Sequence, residues 1–201
     1  TRLTVQGDFP DWLSGQLVRT LPAEFEIGDR SYNHWFDGQA MLAAFRFQDG
    51  QVVYHNKMLQ SDTYKKNKER GEISVSEFAT DPCESLFKRV KNLCSAPETT
   101  DNCCVNVYPL NDEAVVTTET TLPILFNTES LEPLRHLELQ KKLKGPVTSP
   151  HPVKDYQTGR LYNYAVEYGM NSYYHVYYFE KGKETPDILC SIEVDRPAYM
   201  H

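Results

Sequence analysis

Residues 43–54, Ala-Ala-Phe-Arg-Phe-Gln-Asp-Gly-Gln-Val-Val-Tyr, read as a β-hairpin: two short apolar runs, Ala43 to Phe47 and Gln51 to Tyr54, meet around Gln48-Asp49-Gly50. Asp-Gly readily takes the positive-φ turn geometry that matches the twist of two paired strands. The pattern recurs along the chain. Cys103 to Tyr108 and Ala114 to Thr118 flank Pro109-Leu110-Asn111-Asp112, and Leu161 to Val166 and Tyr173 to Phe179 flank Gly169-Met170-Asn171-Ser172. Ile73 to Phe78 alternates Ile, Val and Phe with Ser and Glu, which predicts a strand with one buried face. Many short strands without long helical pieces between them predict an all-β meander of the sandwich, barrel or propeller kind. They argue against an alternating α/β sheet.

One segment departs from this pattern. Glu84 to Leu93 places Leu86, Phe87, Val90 and Leu93 at helical spacing, with Lys88, Arg89 and Lys91 elsewhere around the turn, behind Asp81-Pro82. It reads as a short amphipathic helix or a surface loop with helical habit.

The 201 residues, 40% apolar, can bury a core, and their number suits one domain or part of a larger one. A net charge of −7 gives no bulk attraction to phosphate backbones, so nucleic acid is not expected as a partner. The short basic groups (Lys65, Lys66, Lys68 and Arg70; Lys88, Arg89 and Lys91; Lys141, Lys142 and Lys144) lie close to acids and read as solvated faces. Five cysteines are too few and too irregular for a disulfide scaffold, and none has structural-zinc spacing. Adjacent Cys103 and Cys104 are expected on opposite faces of a strand. A reducing compartment is the expectation, and no run reaches transmembrane length. The chain starts at Thr1 without a methionine, which leaves upstream targeting residues open. The thirteen tyrosines and nine phenylalanines read first as strand packing and second as cavity lining.

The segment His34-Trp35-Phe36-Asp37-Gly38-Gln39-Ala40-Met41-Leu42 resembles the first-blade signature of the carotenoid cleavage oxygenases. Gly15-Gln16-Leu17-Val18-Arg19 precedes it. Glu77-Phe78-Ala79-Thr80, Asp81-Pro82-Cys83, Thr100-Asp101-Asn102, Val105-Asn106-Val107-Tyr108, Thr118-Glu119-Thr120 and Ser149-Pro150-His151-Pro152 follow in order. The resemblance covers nearly the whole chain and is closest to the animal branch, with its β-carotene and apocarotenoid oxygenases and its retinoid isomerohydrolase.

That resemblance implies a seven-bladed β-propeller in which four histidines hold Fe(II) on the axis. Residues 1–201 are then the N-terminal part of a single propeller domain, about two to three blades, with the remaining propeller segment outside the chain. His151 matches the first iron ligand and His201, ending Pro197-Ala198-Tyr199-Met200-His201, the second. Glu119 matches the first of three glutamates that orient ligand histidines. The implied reaction uses dioxygen to cleave a carbon–carbon double bond of a carotenoid or apocarotenoid. The alternatives are a retinoid isomerohydrolase and a non-catalytic carotenoid- or retinoid-binding protein, as a truncated paralogue. The resemblance also implies peripheral membrane contact near a tunnel mouth through Leu86, Phe87, Lys88, Arg89 and Leu93, with Cys83 and Cys94 as acylation positions. A cytoplasmic or mitochondrial location follows.

His34, His55, His136 and His175 show no ligand spacing and are read as structural, His34 as a buried, hydrogen-bonded residue of the first blade. Arg19-Thr20-Leu21-Pro22-Ala23 stands where many relatives have a glycine-rich turn, so a different loop is expected there. The stretch between His151 and His201 is shorter than the family pattern.

Overall fold

The computed structural model describes residues 1–82 and 98–198. The helix expected over 84–93, with Leu86, Phe87, Lys88, Arg89 and Leu93, lies outside the described residues, as do Cys83, Cys94 and His201.

The chain builds three main antiparallel sheets. The first, in the order β1-β4-β5, joins β1 (Gly15–Glu24), β4 (Gln39–Gln48) and β5 (Gln51–Met58). Between β1 and β4 lie the short pair β2 (Glu26–Ile27) and β3 (Arg30–Ser31). Asp49 and Gly50 both take positive φ, 50° and 69°, so the β4–β5 turn has the geometry expected of Asp-Gly. The stretch Arg19–Ala23 is no loop: it continues β1 in register with β4 as far as an irregularity between Pro22 and Glu24.

The second sheet runs β6 (Asn106–Leu110), β7 (Glu113–Thr117), β8 (Ile124–Phe126) and β9 (Pro133–His136) in sequence order. Pro109, read above as part of the turn, sits inside β6, tolerated because β6 is an edge strand. The third sheet holds β10 (Val147–Thr148), β11 (Val153–Lys154), β12 (Leu161–Glu167), β13 (Ser172–Phe179) and β14 (Asp187–Val194), with β14 at its edge.

Period-two alternation stacks these sheets. Ala40, Leu42 and Ala44 of the first sheet bury against Ala114, Val116, Ile124 and Phe126 of the second. From the opposite face of the second sheet, Tyr108, Leu110, Val115 and Leu125 pack on Leu161, Ala165, Tyr177 and Phe179 of the third. The other face of the third sheet, with Tyr162, Tyr164, Tyr174, Val176 and Tyr178, is only half-buried. This is the all-β, propeller-like architecture expected, with little helix. Gly145 is obligatory in it: at φ 90° a Cβ would stand 2.1 Å from the Val166 carbonyl oxygen.

Two further expectations are corrected. Ile73 to Phe78 forms no strand: Ile73 and Val75 are buried, but the backbone is held by a side chain at Ser74 and by a local turn at Glu77. Ser74 N donates to Asn67 Oδ1 at 2.9 Å and Glu77 N to the Thr80 carbonyl at 2.9 Å. Cys103 and Cys104 precede β6 and are both buried, with their thiols against the Leu122 and Phe36 carbonyls. Among the described residues Cys103, Cys104 and Cys190 are free. The basic run around Lys65 belongs to a helix, α1 (Asp62–Arg70), capped by the Ser61 hydroxyl and closed by left-handed Gly71. Its buried residues are the polar Thr63 and Asn67, so it has no apolar stripe to betray it.

A buried polar knot joins the first sheet to the second. Asp37, fully buried, accepts from Ala79 N at 3.1 Å and from the Thr80 hydroxyl at 2.6 Å. The Asn102 amide accepts from Ala40 N at 2.8 Å and donates to the carbonyls of Asp37 and Gly38 at 3.2 and 3.0 Å. Asn102→Ala strands three buried backbone groups at once and should cost on the order of 3 kcal/mol, read as a lowered urea midpoint. An unchanged midpoint contradicts this role.

Candidate functional site

His151 stands between two prolines, and a residue preceding proline is driven towards extended backbone, so both Ser149 and His151 are locally restricted. Side chains then bolt the segment down. Asn106 Nδ2 donates to the Pro150 carbonyl at 2.9 Å, and the Thr117 hydroxyl reaches the same oxygen at 3.1 Å. Asn163 Nδ2 donates to the Ser149 carbonyl at 2.7 Å, and His151 N to the Ser149 hydroxyl at 3.2 Å. Just upstream, the Thr148 hydroxyl donates to the Tyr164 carbonyl and therefore accepts from Tyr177, both at 2.8 Å. The segment thus draws on both the second and the third sheet. Thr117 and Asn163 carry no sequence signal beyond being polar residues in otherwise apolar strands, while Asn106 belongs to the Val105-Asn106-Val107-Tyr108 motif, which does not reveal its partner.

Glu119 follows β7 and lies on the neighbouring segment: its carbonyl accepts from Thr148 N at 2.9 Å, three residues before His151. Its half-buried carboxylate accepts from the Thr118 hydroxyl at 3.0 Å. Burial, with the Glu77 and Glu119 carboxylates nearby, pushes the Cys104 thiol up to about 12, so it stays protonated. Burial likewise holds the Glu77 carboxyl well above the usual range, close to Asp37 and Asp101.

His151 is exposed, on the rim of an apolar cavity of about 540 Å³ formed on the open face of the third sheet. Tyr162, Tyr164, Tyr174 and Ile192 supply most of its wall. Ala198 closes one side, its N–H donating to the Tyr174 hydroxyl at 2.7 Å. The chain thus returns to the His151 cavity three residues before His201. Neutral imidazole at the mouth of an apolar cavity suits a borderline metal such as iron, so His151 fits as one ligand of a larger set.

The other histidines are placed elsewhere. His34 is half-buried rather than buried: its Nδ1 accepts from Phe36 N and caps the short turn at Trp35–Asp37. His55 lies in β5. His175, buried, bonds Glu167 and Ser191. His136 Nε2 is 3.0 Å from Asp101 Oδ2, and Asp62, Asp101 and His136 are a cluster of potential metal donors among the described residues. Its geometry is that of a helix cap. Asp101 already accepts from the N–H groups of Asp62 and Thr63, and the positive end of α1 disfavours a cation there.

A family profile described as retinal pigment epithelial membrane protein, RPE65, matches residues 1–201. A carotenoid-cleaving dioxygenase, mitochondrial, of Mustela putorius furo is 38% identical over 98% of this chain and 39% of its own length. A β,β-carotene 15,15'-dioxygenase of Gallus gallus is 40% identical over 79% of the chain and 31% of its own. The chain therefore spans about two fifths or less of the length of these relatives. In fold it is similar to an ACO/RPE65 chimera, TM-score 0.77 at 24% identity, covering 96% of this chain and 41% of that one. A mutant of the Synechocystis apocarotenoid oxygenase gives the same TM-score at 22% identity, covering 98% and 42%.

Burial works to raise the Asp101 carboxyl, but hydrogen bonds from His136, Thr63 and Asp62 outweigh it and hold it at about 2. The bond to Asp101 raises His136 above its ordinary 6.5, against partial burial. The histidine's contribution to stability is complete below about 6.5 and is lost as pH rises through the raised value; that of Asp101 is complete above about 4 and lost as pH falls towards 2. The urea midpoints of wild type and His136→Gln should therefore differ more near pH 5 than near pH 9. An equal gap at both values removes the charge-linked part of this pair.

Proposed function

The chain belongs to the retinal pigment epithelial membrane protein family, and on that premise we propose that it is the N-terminal part of an iron(II) oxygenase that cleaves a double bond of a carotenoid or apocarotenoid. The observation that carries the reading is the apolar cavity that His151 and Ala198 share, since a metal-binding imidazole and a polyene must meet in one place. Relatives named as carotenoid dioxygenases support the substrate class. His151 is then the first ligand and His201, beyond the described residues, the second.

The single-propeller assignment for residues 1–201 has structural support in the end sheets. Tyr178 on the third sheet, beyond the His151 cavity, and Leu17 with its neighbours Phe45 and Tyr54 on the first, are surfaces that further sheets of a longer chain would cover.

Iron held by imidazoles alone would keep its full positive charge and would supply the activation of dioxygen. The chain's own residues prepare that chemistry. Asn106, Thr117 and Asn163 hold the His151 backbone, so the imidazole is aimed before a metal arrives. Glu119 accepts a hydrogen bond from the non-ligating nitrogen of a histidine and so sets its tautomer. Tyr162, Tyr164 and Tyr174 exclude water and offer flat apolar surface to a conjugated chain.

Two alternatives share this cavity: an isomerohydrolase acting on a retinoid ester, and a carrier that binds a polyene without cleaving it. Membrane contact through Leu86, Phe87, Lys88, Arg89 and Leu93 rests on the sequence pattern. Among the described residues no helix is long and apolar enough to cross a membrane. A mitochondrial or cytoplasmic location is proposed, the first because the Mustela relative is named so.

In the full-length protein His151→Ala should abolish iron retention and product formation, and Glu119→Gln should weaken iron retention about 10- to 100-fold. Metal analysis and mass separation of products from carotenoids and retinyl esters check both. Full iron content and turnover in Glu119→Gln sinks the glutamate's role, and retinoid alcohol as the sole product selects the isomerohydrolase.

A further inference from the structure

On the face of the third sheet opposite the cavity, three side chains with complementary chemistry stand in a row across β12, β13 and β14. His175 pairs with Ala165 on one side and Ser191 on the other, and Glu167 lies two residues along β12 on the same face. His175 Nδ1 is 2.8 Å from Ser191 Oγ, and His175 Nε2 is 2.9 Å from Glu167 Oε2. A carboxylate only accepts, so in the neutral imidazole Glu167 fixes the proton on Nε2 and leaves the Nδ1 lone pair for the serine hydroxyl.

The burial is graded in the sense a nucleophile requires. His175 is 5% exposed and Glu167 half-buried, while Ser191 is exposed on the edge strand. The Tyr173 ring stacks on the imidazole at 6.0 Å and 18°, and its hydroxyl donates to Glu193, which keeps the ring in place. Alternate N–H groups of an edge strand point away from the sheet, so among the described residues a donor without a strand partner lies at Ser191 or at an adjacent residue, where an oxyanion would form. Ile188, opposite Tyr177 and so on the same face as Ser191, is an exposed apolar side chain.

We propose that Ser191, His175 and Glu167 form a hydrolytic site for carboxylic esters of uncharged acyl chains, independent of the metal. Ser191 Oγ bonds to the ester carbonyl carbon as its proton passes to His175 Nδ1. The ester C–O bond breaks, the alcohol leaves with that proton, and a water repeats the sequence to release the carboxylic acid and restore the serine. Glu167 holds the imidazole and stabilises it while it is charged. The apolar Ile188 and the acidic Glu167 and Glu193 select against anionic acyl groups.

The test uses the full-length protein with iron removed by a chelator, so that oxygenase chemistry is off. A fluorophosphonate probe should form an adduct that mass spectrometry places on Ser191, and p-nitrophenyl butyrate should be hydrolysed. Ser191→Ala should lose both, and His175→Gln should lower the rate about 100-fold. Glu167→Gln, whose residue is half-buried, provides the same test with an intact fold, at a loss of about tenfold or more. No adduct on Ser191 in the folded wild type, or wild-type hydrolysis by Ser191→Ala, overturns the proposal without touching the metal reading.

Discussion

The Asn102 amide is the joint on which the rest of the molecule hangs. Its three hydrogen bonds tie the start of β4 to the segment that leads into β6, in a place where water cannot substitute for any of them. Asp37, one residue from that joint, gathers Ala79 and Thr80 into the same knot. Four residues further on, Asn106 grips the Pro150 carbonyl. The register of the first sheet is therefore carried through a short, fully bonded stretch of chain to the segment that presents His151. A candidate ligand more than a hundred residues from the Trp-Phe-Asp-Gly sequence owes its position to it.

Much of this architecture is legible in the sequence because it is made by alternation. The β4–β5 and β12–β13 hairpins follow from apolar periodicity and turn residues, and both form with the expected pairings. Where backbone groups are satisfied by side chains, periodicity misleads. Ile73 and Val75 alternate inward like strand residues, yet their neighbours bond to Asn67 and no strand forms. The helix α1 was hidden for the converse reason: its inner face is polar, and its stability comes from the Ser61 cap, the Asp101 carboxylate at its first turn and the bond from Asn67 to Tyr32.

The site divides along the same line. His151 and Glu119 are recognisable from the motifs around them, and the structure places their segments side by side through the Thr148–Glu119 backbone bond. Of the residues that immobilise His151, Asn106 lies in a recognisable motif that does not show its task, and Thr117 and Asn163 are silent, because all three acquire meaning only once two sheets converge on Ser149 and Pro150. His175 is another case of partner over spacing: nothing in the order of residues links it to Ser191, but antiparallel pairing sets them opposite each other.

The serial stacking of three sheets has a mechanical consequence. Each apolar cluster belongs to one interface only, the first sheet against the second and the second against the third, and the second sheet is the only one of the three covered on both faces by the described residues. Within these three sheets β7 and β8 are therefore clamped from both sides, and the segment bearing His151, sewn to the second and the third sheet, is a seam that resists their separation.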